Sequence, residues 1–180
     1  GDPLAFVVLG DGFQNGQPVG EQGYDGQFSY FIALDPRPSA VAEHLDVPAY
    51  RYQRLLYPLL ARFFALGLPA ALPWTLVLVN LAAQIAGTAL VERWLTAHGM
   101  SRWYALTYGL WAGLLMAVRL DLNEPLCYAL TAGALLAQRR GRAGLSALLI
   151  GLALFAKETA LLFWLSLLAS AALTLSPGHL

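Results

Sequence analysis

Charge is what this sequence has least of. Asp, Glu, Lys and Arg make up 12% of its 180 residues, about half the roughly 25% of an ordinary soluble domain. The 11 basic and 11 acidic residues cancel, which argues against the basic face of a nucleic-acid binder. With 58% hydrophobic residues, disorder and a charge-laced coiled coil are also excluded as main descriptions. A single cysteine, Cys127, rules out an intramolecular disulfide framework, and its apolar surroundings suit a thiol packed as a small hydrophobe. No initiator methionine or signal-peptide pattern opens the chain at Gly1-Asp2-Pro3, and an apolar run ends just before Ser176-Pro177-Gly178. The chain is therefore expected to be a piece of a longer protein. Internal repeats and low-complexity tracts are missing as well.

What remains is apolar sequence, with a mean hydropathy of +0.56, the composition of a membrane protein. The first 62 residues hold half of the charges and six of the ten prolines. Beyond Arg62 the chain becomes charge-free runs, 63–91, 103–118, 125–138, 143–156 and 159 to the end, separated by tight charge clusters. A span needs about 20 apolar residues. Spans are accordingly expected at about 71–92, 103–120, 122–138, 143–156 and 159–175, the middle ones brief or tilted. Pro69 and Pro73 bend or start the first. One uninterrupted helix over 143–173 would be about 46 Å long, against a hydrocarbon core of about 30 Å. Two helices with a polar turn at Lys157-Glu158-Thr159 fit better. The expected fold is all-α, a polytopic transmembrane helix bundle whose outer first loop, residues 1–62, carries short amphipathic helices, with 63–180 as the bundle.

Positive charge sets the orientation. Arg93 and Arg102 bracket one short loop, and Arg139, Arg140 and Arg142 fill the next but one, so both should be cytoplasmic. The N-terminal region, the Arg119–Glu124 loop and the Lys157 turn then share the outer face, and Glu92 is the sole acid inside. Trp94, Trp103 and Tyr104 flank the first cytoplasmic loop as interfacial aromatics. Gly109 and Gly113 form a small-xxx-small spacing that permits close helix contact. Transporters place polar groups along their spans near the midplane. Here Asn80 and Gln84 are the main polar residues of the first span, and the acids lie at the outer surface, favouring chemistry or binding at the membrane face.

Two stretches of the outer loop are dense in functional side chains. In the first, Gly23 to Ala33, a Gly-rich turn runs into an aromatic segment, and Asp25 sits at a helix N-terminus where the dipole stabilises a carboxylate. A plain N-cap is the simpler reading of the same spacing. In the second, Asp46 to Pro58, a continuous helix would set Arg51, Arg54 and Arg62 within roughly an 80° arc. That cationic stripe suits phosphate oxygens through guanidinium forks, or anchors the segment at the interface by snorkelling. His44 reads as a surface histidine, since no second histidine stands near it to complete a metal set.

Asp25-Gly26, followed by Tyr30 and Ile32-Ala33, resembles the first luminal loop of GPI mannosyltransferases. It is also similar to the acid-pair motif of bacterial lipid-linked-sugar glycosyltransferases, with Gly26 in place of the second acid. Both groups belong to the GT-C superfamily of polytopic glycosyltransferases. The longer string from Tyr24 through Asp35-Pro36 to Tyr50-Arg51-Tyr52-Gln53-Arg54 and Tyr57-Pro58 resembles bacterial membrane proteins of cell-surface glycopolymer formation. Glu124-Pro125-Leu126 and Lys157-Glu158-Thr159 through Leu162 extend that likeness. The resemblance implies a span before Gly1, further spans after Leu180, and residence in the bacterial inner membrane. It also implies a polyprenyl-phosphate sugar as donor and a glycan or lipid acceptor whose hydroxyl is met by a loop aspartate acting as general base.

Only Asp25 matches that aspartate, and Asp46 is the reserve, its simpler role being a turn before Pro48. Tyr30, Arg51, Arg54, Glu124 and Lys157 are the expected substrate contacts, with Arg51, Arg54 and Lys157 towards phosphate. Arg119 and Asp121 either join that cavity or form a structural ion pair at a helix end. Because Gly26 departs from the two-acid form, neither metal dependence nor a carboxylate pair follows from the resemblance, and no metal is indicated. The competing class is a non-catalytic polytopic protein, a flippase or an assembly partner of glycopolymer export.

Overall fold

The computed structural model describes residues 3–175, and helix dominates them. After a 3-10 turn at Pro3–Phe6, a two-stranded antiparallel hairpin pairs β1 (Phe13–Gln14) with β2 (Gln17–Pro18). Its turn is Asn15-Gly16, with φ of 53° and 78°, the left-handed pair that a tight hairpin demands. Short helices follow: α1 (Gly26–Leu34), α2 (Pro38–Val41), α3 (Pro48–Arg51) and α4 (Leu56–Phe64). A 3-10 turn at Pro69–Ala71 leads into α5 (Leu72–Thr96), with Pro73 in its first turn, so the prolines start this helix. The chain continues through α6 (Ala105–Gly109), α7 (Ala112–Arg119), α8 (Glu124–Arg139), α9 (Ala143–Ala156) and α10 (Ala160–Leu175).

The class is all-α. Among the described residues one helical stretch, Pro69–Thr96, is long and apolar enough to cross a membrane. Only 33% of its most apolar window is buried in the protein, so most of its apolar surface faces outward. Two shorter apolar helices accompany it, over Ala143–Ala156 and Ala160–Ala169.

Helix α8 packs between α5 and α9, around Tyr57, Leu76, Cys127, Ala134, Ile150 and Ala153. Alanines dominate this seam because small side chains let helix backbones approach closely. A second core lies under the N-terminal region, where Phe13, Phe28, Ile32, Val41 and Leu45 pack together. Helix α4 straddles the expected boundary at Arg62 and joins the two, contributing Tyr57 and Ala61 to the bundle. Cys127 is fully buried, as a small hydrophobe should be.

Two expectations change. The expected span over 103–120 is split: α6 ends at Gly109 and α7 begins at Ala112. Gln84 of α5 explains the break, since its Nε2 donates to the carbonyl oxygens of Tyr108 and Gly109 at 3.2 and 3.0 Å. Non-helical backbone among apolar helices persists where a neighbour satisfies it. Of the two glycines in that segment only Gly109 meets another helix, with Thr88 so near that a Cβ would lie 2.8 Å from it, whereas Gly113 sits beside the Trp111 ring.

The second change concerns the cationic stripe. Helix α3 stops at Arg51 and α4 starts at Leu56, so the continuous register that aligned Arg51, Arg54 and Arg62 does not exist. Arg62 instead donates to the carbonyl oxygens of Ala33 and Leu34 at 2.8 and 2.6 Å, closing the C-terminus of α1.

By contrast, the break at Lys157 stands as expected. Lys157 is extended, with φ −160° and ψ 137°, and α9 and α10 are separate helices.

Candidate active site where three chain segments meet

Asn123 ties the site together. Its Oδ1 accepts from Ser29 of α1 at 3.1 Å, and its Nδ2 donates to the Ala156 carbonyl at the end of α9 at 3.0 Å. The N-terminal region, the α7–α8 loop and the α9–α10 turn therefore converge. Between them lies a cavity of about 160 Å3 lined by Asp25, Arg51, Arg54, Asn123, Glu124 and Lys157. Five sequence-nominated residues thus share one cavity, although more than 130 positions separate Asp25 from Lys157. The last turns of α5 and α8, which carry Arg93 and Arg139, meet at the other end of the helices, where Arg139 bonds His98 and the Ala97 carbonyl.

Arg51 is the hub. Its side chain is 9% exposed, its guanidinium lies 3.9 Å from the centre of the Phe28 ring, and two carboxylates compensate the buried charge. Asp46 holds it as a fork, through Nε and Nη2, both at 2.7 Å. Asp25 meets it at 3.1 and 3.2 Å, bonds of visibly looser geometry. Burial opposes the charged guanidinium, yet these carboxylates push its pKa up. The Arg51 hydrogen bonds likewise pull the Asp46 carboxyl down, against the opposing effect of its own burial.

Asp25 occupies the position before α1 but makes no side-chain cap bond to it. The simple capping role is therefore replaced by the contact with Arg51. Its side chain stays 52% exposed at the cavity mouth. Asp46 is outside the cavity lining, its Oδ1 also accepting from the Val47 amide at 2.6 Å, so it serves as the anchor of Arg51.

A second cluster flanks the cavity and reaches its lining through Arg54. Arg54 grips Glu158 with Nε at 2.8 Å and Nη2 at 2.6 Å, and the Tyr50 hydroxyl donates to the same carboxylate at 2.9 Å. Burial would raise the Glu158 carboxyl, but Arg54, the Glu158 amide and Tyr50 together hold it down at about 2. Desolvation, reinforced by the Glu158 charge, raises the Tyr50 phenol. Lys157 pairs with Glu124, whose other oxygen, Oε2, is buried with no hydrogen-bond partner.

Tyr30 stands apart from the cavity. Its ring meets Phe31 edge-on at 5.6 Å and packs against the cores around Tyr57 and Ala33. Arg119 is also elsewhere, donating to the Ala5 carbonyl at 2.9 Å and covering the Phe6 ring. His44 is half-buried, stacked on Phe31 at 4.0 Å. No group of three or more potential metal ligands occurs among the described residues.

Beneath the cavity Asp121 is fully buried, at φ 53°. The Tyr57 hydroxyl lies 3.4 Å from its Oδ1, and Asn80 donates to Tyr57 at 2.9 Å and to the Leu122 carbonyl at 2.8 Å. Desolvation pushes the Asp121 carboxyl up to about 7, with Tyr57 and Arg119 opposing it. Asn80 and Gln84, the polar pair of the first span, are therefore backbone-satisfying groups at the ends of α7 and α6.

Glu158 and Tyr50, which hold Arg54 from outside the cavity lining, were missed. Their signal lay inside stretches already singled out, an acid next to Lys157 and a tyrosine next to Arg51. Comparison of the chain with protein-family models, with curated proteins and with solved structures gave no match.

Proposed function

We propose that this chain belongs to a polytopic membrane glycosyltransferase of GT-C type, which moves a sugar from a polyprenyl-phosphate donor to an acceptor hydroxyl at the outer membrane face, in bacterial cell-surface glycopolymer formation. The observation that carries this reading is the unequal grip of Arg51. Asp46 fixes the guanidinium, and Asp25 is left as a half-exposed, loosely bonded carboxylate at the mouth of a polar cavity. Such a group is placed to take a proton from an acceptor hydroxyl. Arg54 and Lys157, on the same lining, offer positive charge to the departing phosphate.

Placement across the membrane is supported by the outward apolar surface. Leu78, Leu81 and Ile85 of α5, Leu148 and Phe155 of α9, and Leu162 and Trp164 of α10 are exposed, far more than a soluble monomer leaves uncovered. Helices α8 and α9, of 16 and 14 residues, reach only about 24 and 21 Å. A bundle this short would sit in a locally thinned or partly covered zone of the membrane, with the polar cavity at its outer edge.

A second reading rests on one feature, that each cavity cation already has a carboxylate partner. Such saturation suits a structural charge network in a non-catalytic partner of glycopolymer export. A transfer assay on the full-length protein with a panel of polyprenyl-phosphate sugars separates the two. Transfer from at least one donor supports the enzyme, and donor binding without turnover across the panel supports the partner.

A further inference from the structure

An apolar groove with a polar end lies in the bundle away from the proposed active site. It has a volume of about 540 Å3 and runs between α5, α8 and α9, past Ala86, Gly133 and Leu149 to Arg93, Arg140 and Arg142. Its floor is concave because small residues replace large ones at the helix seam. A Cβ on Gly133 would already lie 3.3 Å from Leu149 and 3.6 Å from Leu90. From Val79 to Arg93 the groove follows 15 residues of α5, about 21 Å between the two ends at 1.5 Å per step.

The three arginines are exposed, and none forms an ion pair with a described residue, whereas Arg51, Arg54 and Lys157 at the other end are all paired. An apolar channel somewhat longer than one leaflet's share of the bilayer, roughly 15 Å, with uncompensated guanidinium groups at its mouth, is complementary to one kind of molecule. We propose that it holds an acyl chain of an anionic phospholipid, with the lipid phosphate met by Arg93, Arg140 and Arg142. Guanidinium forks match phosphate oxygens, and basic pockets between helices on the positive side of a membrane are built for such headgroups. The donor lipid of the proposed reaction is a poor occupant, since its phosphate belongs at the opposite end. The inference rests on the membrane placement proposed above but is independent of catalysis.

The test is lipid retention by the full-length protein reconstituted in nanodiscs of equal parts phosphatidylcholine and phosphatidylglycerol, then extracted and analysed by native mass spectrometry. Phosphatidylglycerol should be retained with about tenfold preference. The triple variant R93Q/R140Q/R142Q changes only exposed side chains; its melting temperature should be unchanged and the preference lost. Gly133→Leu fills the groove and should release both lipids. Equal retention of the two lipids would overturn the proposal, as would an empty or protein-filled groove from a second copy or another helix of the same protein. Either result would leave sugar transfer unaffected. Failure to enter nanodiscs at all would instead sink the membrane placement and the inference together.

Discussion

Gly26 sits so close to Leu120 that a Cβ placed on it would lie 2.2 Å from the Leu120 carbonyl oxygen. The first turn of α1 is thereby pressed onto the α7–α8 loop, which carries Asn123 and Glu124 into the cavity. This contact explains why a glycine follows Asp25 where the two-acid motif it resembles has a second acid: no side chain fits. Gly26→Ala should destabilise the protein by about 1–3 kcal/mol through overpacking and lower its melting temperature. An unchanged melting temperature would mean that the loop yields easily and that the contact does not set the site.

Glu158 makes the stability of the site acid-sensitive. Its carboxyl is held at about 2 in the folded protein, from an ordinary 4.5. A depressed carboxyl contributes stability that is present above about pH 4.5 and lost as pH falls towards 2. Because its side chain is 36% exposed, the contribution is no more than about 1 kcal/mol after solvent screening. Glu158→Gln should melt lower than the parent at pH 7, with the gap closing between about pH 4.5 and 2. A gap that is constant over that window would assign the loss to packing.

Asp121 should act in the opposite sense. Its carboxyl is raised from 3.8 to about 7 by burial, so its share of stability is full below about pH 4 and is lost as pH rises through 7. Asp121→Asn, which never ionises, should gain on the parent steadily between pH 5 and 8 in thermal melts. Parallel melting curves across that range would show that Asp121 is already hydrated or paired in solution.

Sidedness is the third electrostatic consequence. Asp25, Asn123 and Lys157 border one cavity and Arg93, Arg140 and Arg142 another, so cysteines introduced at positions 25, 123 and 157 should label from one side of the membrane. A cysteine at position 141 should label only from the other, all in a Cys127→Ala background. Labelling of positions 123 and 141 from the same side would contradict the bundle as a membrane-crossing unit.

Much of this arrangement was legible in the chain because charge marks helix ends in an apolar sequence. Arg142 and Lys157 bracket α9 at its observed limits, and Lys157-Glu158-Thr159 breaks the helix where a buried ion pair would otherwise be required. The break between α6 and α7 was not legible. Neither a charge nor a proline marks Leu110-Trp111; the kink depends on Gln84, more than twenty residues away. The gap between α3 and α4 was hidden in the same way, which is why Arg62 was aligned with Arg51 and Arg54. For the site, residue type and clustering pointed to Asp25, Arg51, Arg54, Glu124 and Lys157. Which carboxylate grips which cation is a three-dimensional fact, and it separated Asp25 from Asp46. Tyr30 matched a motif, but helical geometry turned it into the core.

The central claim, Asp25 as the base, is tested most directly by Asp25→Asn in the full-length protein, assayed for sugar transfer from its polyprenyl-phosphate donor. Asparagine keeps the shape and still accepts from Arg51, so the melting temperature and donor binding should hold. Transfer should fall about 10²- to 10⁴-fold, the usual weight of a general base. Near-normal transfer by Asp25→Asn would contradict the account.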